Sequence, residues 1–131
     1  MAIFRYFNRG TEIQVFRESI DKVYPLRYGE NPHQKGLFFG DPGKLFDKLH
    51  GKEISYNNLL DIESALNLID EFSDTTVVII KHNNACGAAS RDSITESWEA
   101  ALACDHVSAF GGIITANRTV DEISAVEMDK I

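Results

Sequence analysis

A lysine followed directly by a histidine, Lys81-His82, stands where a run of β-branched and aliphatic residues from Thr75 to Ile80 ends. A neutral imidazole can accept a proton near pH 7, and a neighbouring ammonium can stabilise negative charge developing on a carbonyl oxygen. Together they suit acyl or formyl transfer to an amine. In open α/β sheets ligands gather beyond the carboxyl ends of strands, and the segment Asn83-Asn84-Ala85-Cys86-Gly87 that follows reads as a loop. Position therefore makes this pair the leading candidate site. The same two residues also read as a histidine capping local backbone groups and a lysine reaching solvent.

Three further clusters carry groups able to hold a ligand. In Leu26-Arg27-Tyr28-Gly29-Glu30-Asn31-Pro32-His33-Gln34 a cation, a phenol and amides share a loop constrained by glycine and proline. The Arg27 fork can bind phosphate, and Gly29 can admit a ligand close to the backbone. A tight turn between two strands accounts for the same residues. In Tyr56-Asn57-Asn58-Leu59-Leu60-Asp61 the amides can face a ligand at a helix N-terminus or cap that helix. In Ser108-Ala109-Phe110-Gly111-Gly112-Ile113-Ile114 the paired glycines either expose backbone N–H groups or allow close packing. Cys86 is left out of the chemistry, since a packed cysteine is the commoner case.

The elements that must position these groups are readable from periodicity. Glu12 to Phe16, Lys22 to Leu26 and Gly36 to Phe39 are short β-like runs, and Asp41-Pro42-Gly43 is a turn signal. Leu59, Ile62, Leu66 and Ile69 recur at helical spacing, which predicts a helix from about Asn58 to Phe72 with Asn58 as N-cap and Asp61 in its first turn. Thr75 to Ile80, apolar on both faces, predicts a central strand covered by helices on both sides. Ser93 to Glu96 is a capping box opening a helix that buries Ile94, Trp98, Ala101 and Leu102. Phe110 to Ala116 reads as a strand, and Thr119 to Glu122 as a second capping box before a helix with Ile123 and Val126 inward. This alternation is that of a layered α/β domain, whose crossovers favour parallel strands.

Composition narrows the function classes. The 131 residues suffice for one domain, and the formal charge of −7 without a dense basic run argues against a nucleic-acid binder while leaving room for a small phosphorylated ligand. No apolar stretch is long enough to cross a bilayer, and two cysteines, Cys86 and Cys104, without a signal peptide point to reduced thiols in a cytoplasm. The cysteines lack zinc-site spacing.

Four segments in this order, Leu26 to Gln34, Tyr56 to Asp61, Ile80 to Gly87 and Ser108 to Ile114, resemble the successive signatures of the AICAR transformylase family (5-aminoimidazole-4-carboxamide ribonucleotide formyltransferases). This family forms the formyltransferase half of a bifunctional purine-biosynthesis enzyme whose other half is an IMP cyclohydrolase. The resemblance implies a cytidine-deaminase-like α/β/α fold that needs no metal. The sequence agrees in having no His-x-Glu with a downstream Cys-x-x-Cys, the pattern of the zinc deaminases.

By that resemblance the amine of AICAR attacks the formyl carbon of 10-formyltetrahydrofolate, the co-substrate, on the way to IMP. The histidine matching His82 is the proton acceptor, and the lysine matching Lys81 stabilises the oxyanion-like transition state. The residues matching Arg27, Tyr28, Asn58 and Gly111 hold or lie against the nucleotide.

The resemblance also sets the expected boundaries. Residues 1–21 match a junction segment and residues 22–131 a cytidine-deaminase-like subdomain, the N-terminal part of the transformylase domain. The cyclohydrolase domain and the C-terminal transformylase part have no counterpart. The complete enzyme is a cytoplasmic homodimer with shared sites, so the chain alone is expected to turn over negligibly. A non-catalytic nucleotide-binding or dimerisation module of the same fold is the rival reading. Neither reading calls for nucleic acid or a membrane as partner.

Overall fold

In a computed structural model of the chain, residues 19–131 are described. The β-like run at Glu12 to Phe16 and nearly all of the junction segment lie outside the described residues.

The chain folds around one strand. β3 (Thr76–Lys81) is buried along its whole length except at Lys81. Side chains alternate across a strand, so its residues serve two cores at once. Val77 and Ile79 pack with Ile94, Trp98, Ala101 and Ala109 on one side, while Val78 and Ile80 pack with Ala65 and Ile69 on the other. The first set involves α2 (Ile94–Leu102) and the second α1 (Tyr56–Ile69). Three layers, helix, sheet and helix, follow, as the apolar run with no polar face requires. Each of these large side chains contributes about 1.5–3 kcal/mol by leaving water.

The strand order is β4-β3-β5, with β4 (Asn84–Ser90) and β5 (Ile113–Ala116) flanking β3. Both pairings are antiparallel, which corrects the expectation of parallel pairing. The cause is local. β3 turns directly into β4 through a two-residue hairpin, and a connection that short can join only antiparallel neighbours. The helical crossover instead links β4 to β5, which run the same way on opposite sides of β3.

A smaller two-stranded sheet precedes this core, with β1 (Val23–Pro25) paired antiparallel to β2 (Leu37–Phe39). The Asp41-Pro42-Gly43 signal becomes a 3₁₀ turn at Pro42–Lys44. β1 and β2 match two of the strands read from the sequence, β1 shorter by one residue at each end and β2 by one at its start.

The helix starts differ from expectation in instructive ways. α1 begins at Tyr56, because Ser55 is the N-cap: its hydroxyl accepts from the Asn58 N–H while the Asn58 amide oxygen accepts from the Ser55 N–H. Asn58 is thus the third residue of a capping box, and Asp61 lies in the second turn. The helix ends at Ile69, three residues short of Phe72. α2 starts with the expected Ser93–Glu96 box.

α4 (Glu122–Met128) is capped by Asp121, two residues later than Thr119. That start sets a different inward face. Ser124 is fully buried and bonds Thr95 at 2.8 Å, whereas Ile123 and Val126 are 69% and 56% exposed, so the expectation that they point inward fails. Phe110 is also 70% exposed and precedes β5, which starts only at Ile113; a short helix α3 (His106–Ala109) occupies the approach. Leu45, Leu49 and Val107 are likewise open to solvent. Among the described residues no helix is long and apolar enough to cross a membrane.

Candidate functional site

Lys81 ends β3 and pairs with Asn84, so His82 and Asn83 are the two central residues of a hairpin turn. The expected loop to Gly87 is therefore only two residues long, with β4 beginning at Asn84. Both turn residues are left-handed, His82 at φ 50° and Asn83 at φ 63°. This is the geometry of the tight turns whose twist matches that of paired strands. A residue with a Cβ pays roughly 1–2 kcal/mol there, and Asn and His are among the side chains that tolerate it best.

Three contacts hold the turn. The Asn83 N–H donates to the Asp61 carboxylate at 2.7 Å, the Asn83 side chain also bonds the Ser64 hydroxyl, and the Asn84 amide donates to the His82 carbonyl at 2.8 Å. Just below it the register shifts from Ile79 opposite Gly87 to Ile80 opposite Ala85, leaving Cys86 as the extra residue of a β-bulge. Bulges bend a strand and redirect its side chains. The Cys86 thiol donates weakly to the Ile79 carbonyl, and burial pushes its pKa up, with the Asp105 charge adding to the shift. It is a packed thiol, as the sequence reading held.

Lys81 Nζ donates to the Phe110 carbonyl at 2.5 Å, which ties the hairpin to the glycine-rich segment. Gly111 follows with φ 71°, a conformation that suits glycine. An ammonium has three donors, and among the described residues only one of them is used, by the Phe110 carbonyl. Lys81 and His82 border an open groove of about 540 Å³ lined also by Asn84, Cys86, Asp105 and Ser108. Asp105 caps α3, accepting from the Ser108 hydroxyl at 2.6 Å and the Ser108 N–H at 3.0 Å. Those two bonds, with a smaller contribution from Lys81, hold its carboxyl below the usual range. The groove therefore carries a fixed anion beside the Lys81 cation.

Arg27 and Tyr28 do not line this groove. The Arg27 guanidinium donates to the Tyr28 hydroxyl at 3.0 Å and lies 4.8 Å from the centre of its ring. The nearby Ser55 hydroxyl, and then Arg27, lower the phenol pKa. Their loop is fastened to the start of α1: the Arg27 N–H donates to Ile54, the Tyr56 N–H to Tyr28, and the Asn57 amide to the Glu30 carbonyl at 2.9 Å. Gly29 is buried against Gln34 and Lys35, so its small size serves the loop's own packing.

α1 thus works as a spacer between the two clusters. Asn57 meets the arginine loop and Asp61 meets the histidine turn, and four helical residues span about 6 Å. Asn58 lies between them, half-buried, with its amide oxygen committed to the capping box. All four segments singled out in the sequence are in this way linked by hydrogen bonds into one end of the domain. Among the described residues no three His, Cys, Asp or Glu side chains are grouped to hold a metal ion.

Ser64 and Asp105 were not singled out by sequence, and Asp61 was read only as a first-turn residue of its helix. The Asp105–Ser108 spacing is a helix-cap signal that was available. The Asp61–Asn83 contact joins residues 22 apart and has no local signature.

Comparison with known proteins gives concordant matches. The profile of the AICARFT/IMPCHase bienzyme family matches residues 1–131. The chain is 57% identical over 130 residues to a protein of Bacteroides thetaiotaomicron named bifunctional purine biosynthesis protein PurH, covering 99% of this chain and 25% of that protein. Proteins of the same name from Rhodospirillum rubrum and Chloroflexus aurantiacus are 54% and 52% identical, covering 81% and 84% of this chain and 21% and 22% of their own lengths. The chain spans about a quarter of the length of these relatives.

Proposed function

Because the chain belongs to the AICARFT/IMPCHase bienzyme family, we propose that its linked end serves formyl transfer from 10-formyltetrahydrofolate to the amine of AICAR, within a cytidine-deaminase-like subdomain of the transformylase. The observation that carries this reading is the placement of Lys81 at the end of β3 and His82 in the hairpin turn, both beside an open groove.

The AICAR amine is a weak nucleophile, because its lone pair is delocalised into the ring and carboxamide. His82 takes its proton as the nitrogen attacks the formyl carbon. The formyl oxygen becomes an oxyanion, which the Lys81 ammonium stabilises. Collapse breaks the bond to N10 of tetrahydrofolate, which leaves with a proton returned from the imidazolium. The free N–H groups of the Arg27 fork suit the nucleotide phosphate, and Tyr28 and Gly111 the rest of the nucleotide. Asn58 retains its amide N–H₂ for the same ligand. Folate contacts and a homodimeric arrangement belong to this reading as expectations for the whole enzyme.

The test combines AICAR calorimetry with formyl-transfer kinetics in the catalytically competent protein carrying this sequence. Arg27→Ala should weaken AICAR binding, and His82→Ala should lower kcat by about 10²–10⁴-fold with binding retained. Full turnover by His82→Ala would sink the assignment. Binding sensitive to Arg27 with no His82-dependent turnover would favour a nucleotide-binding module instead.

A further inference from the structure

The turn that carries His82 is unusual in placing two consecutive side-chain-bearing residues in the left-handed region. Backbone bonds between β3 and β4 end at the Lys81–Asn84 pair, so they cannot by themselves fix how the turn leans over the groove. The outside support comes from α1. Asp61 accepts the Asn83 N–H at 2.7 Å, and Ser64, one turn further along, bonds the Asn83 side chain. Asp61 and Ser64 stand three residues apart and so share a helix face. The helix itself is anchored by Ala65 and Ile69, both buried against β3. The anchor therefore references the turn to the core rather than to solvent.

We propose that Asp61 is a positioning residue for the reaction: by holding the Asn83 N–H, it fixes the turn that presents the His82 imidazole to the groove. This rests on His82 being the proton acceptor. The support is geometric, because Asp61 meets the backbone of the residue after His82, and what it supplies there is an acceptor oxygen. An asparagine at 61 offers the same oxygen without the charge, whereas alanine offers none. Asp61 also stands one turn from Asn57, which holds the arginine loop, so a single helix face sets the relation between the two clusters.

The experiment uses Asp61→Ala and Asp61→Asn in the catalytically competent protein, with His82→Ala as reference. Three quantities are read: hydrogen exchange at the Asn83 amide, kcat and KM for each substrate, and the melting temperature. The expected result is faster Asn83 exchange in Asp61→Ala and a kcat reduced on the order of 10²-fold, the effect of misplacing a catalytic group by about 1 Å. KM should change little, and Asp61→Asn should restore both exchange protection and kcat.

Loosened exchange with undiminished kcat, while His82→Ala is inactive, would overturn the positioning role and leave the formyl-transfer reading standing. Full activity of His82→Ala would remove that reading, although the exchange effect would still report the clamp. An Asp61→Asn variant as slow as Asp61→Ala, with intact Asn83 protection, would mean that the charge acts, again overturning the proposal. Should Asp61→Ala fail to fold, Asp61→Leu, which fills the same space without an acceptor oxygen, is read in its place against Asp61→Asn.

Discussion

Gly87→Ala tests the packing of the hairpin against α2. Gly87 is buried in β4, and a Cβ built there would lie 2.1 Å from the Ala101 carbonyl oxygen and 2.9 Å from its carbon. Ordinary contacts between such atoms begin near 3.5 Å, so strand and helix must part by roughly 1.4 Å. The obstacle is helix backbone, which cannot swing aside as a side chain can. Trp98 and Ala101, 2% and 0% exposed, also hold α2 against β3.

Overpacking of this kind costs about 1–3 kcal/mol, and a rigid neighbour points to the upper end. Gly87 is not left-handed, so alanine also restricts the unfolded chain and returns about 0.4–1 kcal/mol. A net loss of about 2 kcal/mol remains, or about 6–10 °C in Tm for a domain of this size. Urea unfolding followed by circular dichroism, with calorimetric melting, measures it. Gly43→Ala is the control, because its new Cβ would meet only the Asp41 carboxylate at 3.5 Å. A Gly87→Ala protein as stable as Gly43→Ala would refute the close approach of strand and helix.

Two further perturbations follow from named contacts. The Asn117 side chain accepts from the Thr76 N–H and donates to the Phe72 and Asp74 carbonyls, joining the starts of β3 and the segment after β5. Asn117→Ala leaves the partly buried Thr76 N–H and Phe72 carbonyl without this partner, while the Asp74 carbonyl keeps the Thr76 hydroxyl; it should cost about 1–3 kcal/mol in urea unfolding, and an unchanged midpoint would contradict it. Asp105 and Asp121 each cap a helix through a serine, and those bonds lower both carboxyl pKa values. A lowered folded-state pKa gives stability that is present above the unfolded value, near pH 4, and is lost as pH falls through the folded value. Acid titration of Asp121→Asn should therefore show a shallower loss of stability below pH 4 than the unmodified chain, and an identical slope would count against the cap.

Much of the fold was determined by local pattern. Four consecutive apolar residues, Val77 to Ile80, facing both ways can be satisfied only between two layers, and β3 lies between α1 and α2 for that reason. The Ser93–Glu96 box fixed the start of α2 because both halves of the cap lie within four residues. Lys81 and His82 were legible because a basic pair ends that strand. What the sequence could not determine was anything resting on distant partners. Strand direction turned on whether two residues or a helix connect β3 to β4, and both turn residues had to accept a left-handed backbone that is stabilised from Asp61, 22 positions away. The face of α4 depended on which of two acceptable caps, Thr119 or Asp121, met its donor, and only docking of Ser124 on Thr95 chose between them. Periodicity states which residues want burial; the partner elements, brought together by the folded core, decide which of them obtain it.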